Sequence, residues 1–118
     1  PSKNNFTKED INSKLWEFPL AVYPLFGLRF PAAGGFFLRL LPSLVWRAIR
    51  KLNELGLPAV IYLHTWELDP ETPRLMLNPY KSFVTYHNIE KTRKQVRRLL
   101  YDFQFTSFEE YVKERGIV

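Results

Sequence analysis

Residues 59–66, Ala-Val-Ile-Tyr-Leu-His-Thr-Trp, constrain the fold of this chain more than any other stretch. They are apolar on both faces, and β-branched Val60 and Ile61 stand in the first half. A segment of that kind suits an interior strand of a covered parallel sheet, and suits poorly a hairpin strand with one wet face. Helices must then supply the cover. Pro42 opens the first clear one, with Ser43 in its first turn. Leu44, Val45, Ala48, Ile49, Leu52 and Leu55 recur at helical spacing, while Arg47, Arg50, Lys51 and Glu54 fall mostly opposite. Gly56 stops that helix and Pro58 follows where it cannot continue. A second helix is expected from Ile89 to about Phe103, capped by Asn88, with Val96, Leu99, Leu100 and Phe103 facing the core. Ser107 and Glu110 form a capping box for a short last helix through Glu114, ended by Gly116. The expected class is α/β.

Between these elements the chain is punctuated. Residues 1–14 are polar and read as an N-terminal loop, leaving residues 15–118 as the domain. Leu15 to Tyr23 is β-prone, but Pro19 makes it an edge strand or a bulge. Residues 67–79 carry three prolines and no period, a long loop of the kind that is often functional. Phe83 to Tyr86 reads as a short β-prone run. The most apolar stretch, residues 25–46, is broken by Arg29, Arg39, Pro31, Pro42 and Gly34-Gly35, so no transmembrane segment is expected. The chain opens at Pro1 with no charged-then-apolar leader, and the expectation is a portion of a longer protein.

Composition narrows the chemistry. With 118 residues and 46% hydrophobic content the chain can bury one core. It has no Cys, which excludes disulfides, thiolate zinc sites and a cysteine nucleophile. The net charge of +5 is spread thinly, with eight basic and four acidic side chains in residues 1–59 against nine and eight in residues 60–118. A thin excess favours solubility over a dedicated polyanion surface. Five basic side chains between Lys91 and Arg98 could contact phosphates, but Val96, Leu99 and Leu100 mark an amphipathic helix whose basic residues form a solvated face. No nucleic-acid partner is expected.

His64 is the strongest candidate for chemistry. It lies near the carboxyl end of the 59–66 segment and just before a loop carrying Glu67, Asp69 and Glu71. Carboxyl ends of parallel strands gather ligands and catalytic groups in α/β folds. An imidazole there can serve as general acid or base, or it can be a core histidine bonded to backbone. His64, His87 and Glu67 or Asp69 would supply a zinc ligand count, but no HxxxH, HExxH or HxH spacing is present, so no metal site is expected within the chain. No GxSxG is present either. Gly34-Gly35 before Phe36-Phe37 reads either as a turn presenting aromatics and Arg39 to a ligand or as a plain connection to the Pro42 helix.

Three segments in order, FPAAGGFFLRLLP (30–42), RKLNELGLPAVIYLHTWELDPETPR (50–74) and TRKQVRRLLYDFQF (92–105), resemble the C-terminal part of bacterial polysaccharide deacetylases. The nearest group is the NodB-like, carbohydrate esterase family four type of exopolysaccharide loci. The resemblance implies the C-terminal segment of a distorted (β/α) barrel that removes N-acetyl groups from amino-sugar polysaccharide with a divalent, zinc-like metal. By that resemblance Leu63-His64 matches the family's last motif. His64 would be the general acid, Leu63 would line the acetyl pocket, Trp66 would wall the sugar site, and Arg39 would touch substrate. Phe36 and Phe37 replace an expected glycine and tyrosine. The family's catalytic base, metal triad and buttressing motifs lie upstream of the matched segments, and no such motif stands in residues 1–59. The chain is therefore expected to be inactive alone, to need the remainder of the deacetylase domain as its partner, and to be capable of homo-oligomerising through exposed strand edges. A bacterial cytoplasmic location is expected ahead of the cell envelope. The rival reading is a non-catalytic carbohydrate-binding or oligomerisation module using Trp16, Phe36, Phe37 and Trp66.

Overall fold

A computed structural model describes residues 17–116. Its elements are β1 (Val22–Leu25), β2 (Leu28–Pro31), α1 (Gly35–Leu40), α2 (Pro42–Glu54), α3 (Pro79–Tyr86), α4 (Thr92–Asp102) and α5 (Phe108–Glu114), with 3-10 turns at Thr65–Leu68 and Ile89–Lys91. The class is mixed helix and sheet, and the described residues close no barrel. The expected loop over residues 1–14, and Trp16, lie outside the described residues.

The sheet is smaller than the 59–66 segment predicts. β1 and β2 pair antiparallel around Phe26-Gly27, with Tyr23 opposite Phe30 and Leu25 opposite Leu28. Phe26 (φ 48°) and Gly27 (φ 79°) both take positive φ, the two-residue turn whose twist matches a hairpin. Residues 59–63 run parallel to their neighbours, as expected, but among the described residues they pair with them as two isolated bridges, Leu20–Val60 and Gly34–Tyr62. The Ala21 amide donates to the Val60 carbonyl (3.3 Å) and the Tyr62 amide to the Ala33 carbonyl (2.8 Å). The segment is thus clamped at two points and then turns into the 3-10 turn at Thr65, so the regular strand expected through Trp66 is not formed.

Helix α2 begins and ends where its sequence signals stand. Pro42 occupies the first turn. At the other end Gly56 takes φ 71°, its amide donating to Asn53 and that of Leu57 to Leu52, which satisfies the last carbonyls in a Schellman arrangement. Val45, Trp46, Ala48, Ile49 and Leu52 form its buried face. They pack with Ala21, Phe30, Ala32, Ala33, Leu38 and Leu99 in one core cluster. Each large side chain so buried contributes roughly 1.5–3 kcal/mol. Trp46 fastens α2 to α4, its Nε1 donating to the Asp102 carboxylate at 2.6 Å while the Arg98 guanidinium lies 5.1 Å from its ring centre.

Three local expectations give way. Residues 35–40 form helix α1, although two glycines and two phenylalanines read as a turn. Burial of Leu38 and Arg39 supplies the stabilisation that so short a helix lacks on its own. Phe83–Tyr86 belongs to helix α3, started by Pro79 and capped by Asn78, whose side chain accepts from the Lys81 amide at 2.8 Å. Asn88 sits at φ 51° and bonds its amide side chain to His87 rather than capping, so α4 starts at Thr92. Within α4, Leu99 is buried and Leu100 is exposed, the reverse of the latter's expected role. The Ser107–Glu110 capping box of α5 is formed as expected.

Candidate functional site

The 3-10 turn at Thr65–Leu68 decides the geometry around His64. Its tight winding brings Glu67 back under His64, whose backbone amide donates to Glu67 Oε2 at 2.9 Å. The same oxygen lies 3.4 Å from His64 Nδ1. The other carboxylate oxygen, Oε1, accepts from Arg39 Nη1 at 2.5 Å. Both partners of this ion pair are deeply buried, with side chains 1% and 5% exposed. Arg39 Nη2 donates to the carbonyls of Val84 and Thr85 at 3.2 Å each, which ties the C-terminal half of α3 to the same point. Gly35 completes the seat. A Cβ built there would fall into the Glu67 carboxylate, within 2.7 Å of its carbon.

The imidazole itself is outside this buried layer, with its side chain 48% exposed. Nε2 lies 2.9 Å from the Tyr62 hydroxyl. The Trp66 ring stacks beside it, 5.6 Å between centres and tilted 28°. The ring is therefore held from three sides: carboxylate at Nδ1, phenol at Nε2 and indole on one face. Its remaining surface faces solvent. Such an imidazole can carry a proton on Nδ1 toward Glu67 and present Nε2 to a ligand.

The expected site residues separate into two layers. His64 and Trp66 stand together, while Leu63 is half-buried and packs on the core cluster. Arg39, expected to touch substrate, is 3% exposed and committed to Glu67 and two carbonyls. A buried guanidinium with those partners cannot reach a ligand, so its place is behind His64. Phe37 is likewise turned inward on Phe30, 4.8 Å between ring centres, and Phe36 packs against Phe37 and Phe83. The aromatic surface of the rival reading is thus divided. His87 is not brought to His64; it lies against Phe83 and Asn88. The sequence did not single out Tyr62 or the structural part of Glu67. The signal for the latter was the three-residue spacing His64–Glu67, a capping-box interval applied to an unusual cap residue.

Among the described residues no group of three or more His, Asp or Glu side chains gathers to hold a metal. The donor set explains why, since both Glu67 oxygens already serve Arg39 and His64. The resemblance expects the ligands of its divalent metal upstream of the matched segments, not among these residues. Among the described residues, no helix is long and apolar enough to cross a membrane.

The family described as a domain of unknown function, DUF3473, matches residues 1–113. The chain belongs to this family. The DUF3473 match includes every residue of the His64 cluster and all of α5 but Glu114. No curated protein and no solved structure matches the chain.

Proposed function

We propose that this DUF3473 chain is the C-terminal portion of a metal-dependent polysaccharide N-deacetylase and that it contributes His64 as general acid. The observation that carries the reading is a half-exposed imidazole held in one orientation by a fully buried Arg39–Glu67 pair. Two buried charges are costly to desolvate, and this pair's polar contacts all lead to the backbone or to His64. Leu75, Met76 and Tyr80, which are 70%, 104% and 76% exposed, support a partner beyond the described residues, such as the remainder of a deacetylase domain.

In this reading a metal held by groups outside the chain would supply Lewis-acid activation, and this chain supplies the proton. His64 enters the next step as an imidazolium, with Glu67 accepting from Nδ1–H. When the carbon–nitrogen bond of the tetrahedral adduct breaks, its electron pair goes to the sugar nitrogen, and that nitrogen takes the proton from Nε2. The imidazole is left neutral, its remaining proton on Nδ1 and directed at Glu67. Tyr62, in contact with Nε2, receives or yields that position as the amine enters, Leu63 borders the acetyl group and Trp66 walls the sugar. The test is His64→Ala in the longer protein. Deacetylation of an acetylated amino-sugar oligomer should fall about 100-fold, with metal content unchanged. Full activity in that variant would remove His64 from the mechanism.

A further inference from the structure

A second constellation lies on elements that take no part in the His64 site. Arg47, Arg50 and Lys51 on α2 and Arg98 on α4 line one recess of about 350 Å³, together with Tyr23, Ser43, Trp46 and Glu54. Three of these cations lie within five residues on α2, and the packing of α4 on Trp46 brings Arg98 to them. Their partners divide them. Lys51 is satisfied by Glu54 at 3.2 Å, and Arg98 by Asp102 at 3.4 Å and the Trp46 ring. Arg47 and Arg50 engage no carboxylate, carbonyl or ring among the described residues. They stand one helical turn apart, a spacing of about 5–6 Å between Cβ atoms.

We propose that this recess binds a phosphate-bearing ligand of pyrophosphate size. Two unpaired guanidinium groups one turn apart offer two forks of donors, and Tyr23 and Ser43 line the same recess. A single carboxylate would satisfy one fork, whereas phosphate oxygens can satisfy both. Glu54 and nearby Asp102 engage Lys51 and Arg98, and Glu54 is the one carboxylate among the residues lining the recess.

The test is isothermal titration of the chain with inorganic pyrophosphate at low ionic strength, where surface charges are least screened. Saturable one-site binding is expected, weakened about tenfold or more by R47Q/R50Q. K81Q/K91Q, which removes the same charge away from the recess, should leave it unchanged. Citrate, an anion without phosphorus, should bind at least severalfold more weakly. No saturable binding to any phosphate probe, equal loss in both double variants, or citrate equal to pyrophosphate would overturn the proposal. Co-sedimentation with phosphatidylcholine vesicles doped with phosphatidic acid separates the sources of the phosphate. Vesicle binding that needs Arg47 and Arg50, without binding of free pyrophosphate, assigns a lipid headgroup. Binding of free pyrophosphate alone assigns a soluble diphosphate.

Discussion

Replacing Glu67 by glutamine keeps the shape of the buried side chain and removes only its charge. In the native chain one oxygen accepts from Arg39 and the other from the His64 amide. The amide that E67Q introduces can place its oxygen toward one of these donors only, and must turn an N–H toward the other. A buried guanidinium is then left with two carbonyls and no counter-charge, and its Nε has no partner in the native structure to begin with. Because the two side chains are 1% and 5% exposed, solvent screening does little to soften the loss. Breaking a pair of this kind by removing one partner costs about 3–5 kcal/mol. That is a large share of the roughly 6–18 kcal/mol expected for a domain of this length. The assay is urea denaturation of wild type, E67Q, R39M and R39M/E67Q. Each single variant should lose several kcal/mol and the double variant less than their sum, because it buries no orphaned charge. In parallel, the nitrogen spectrum of His64 should lose its Nδ1 hydrogen-bond signature in E67Q. An E67Q variant within about 1 kcal/mol of wild type, with an unaltered His64 spectrum, would refute the argument that Glu67 holds the site together.

Other expectations follow from the same contacts. Gly35→Ala should cost about 1–3 kcal/mol, because its methyl group meets the Glu67 carboxylate; thermal unfolding near the wild-type midpoint would show that the carboxylate can move aside. Trp46→Phe should cost about 1–3 kcal/mol by removing the indole N–H from Asp102 and shrinking the ring under Arg98, and an unchanged denaturation midpoint would deny α4 its fastening. The Glu110 carboxyl is held below its ordinary range, first by the Ser107 amide and then by the Thr106 and Ser107 hydroxyls. A carboxylate depressed in the folded state stabilises above its unfolded value and loses that contribution as pH falls through the folded one. Helicity of E110Q should therefore trail wild type at neutral pH and converge with it on acidification below the ordinary glutamate range. A gap that persists in acid would assign the difference to something other than this charge.

Short-range signals in the sequence determined several features directly. Pro42 and Gly56 mark the two ends of α2, and Ser107 with Glu110 marks the start of α5, because caps depend on dihedral preferences and hydrogen bonds within a few residues. The parallel sense of residues 59–63 agrees with the expected strand, although none of them is buried and Tyr62 is exposed. Tertiary structure decided the rest. Residues 35–40 and 83–86 have local patterns that read as turn and strand, and packing of Leu38, Arg39 and Tyr86 makes both helical. The strand expected through Trp66 stops because the next residues wind into the turn that brings Glu67 to His64. Arg39 looked like a surface contact, since an arginine in a sequence carries no sign of its burial. Its carboxylate partner stands 28 residues away and its carbonyl partners 45 and 46. Only the folded chain brings that charge and its partners together, so a buried pair of this kind is decided by packing rather than by any local pattern.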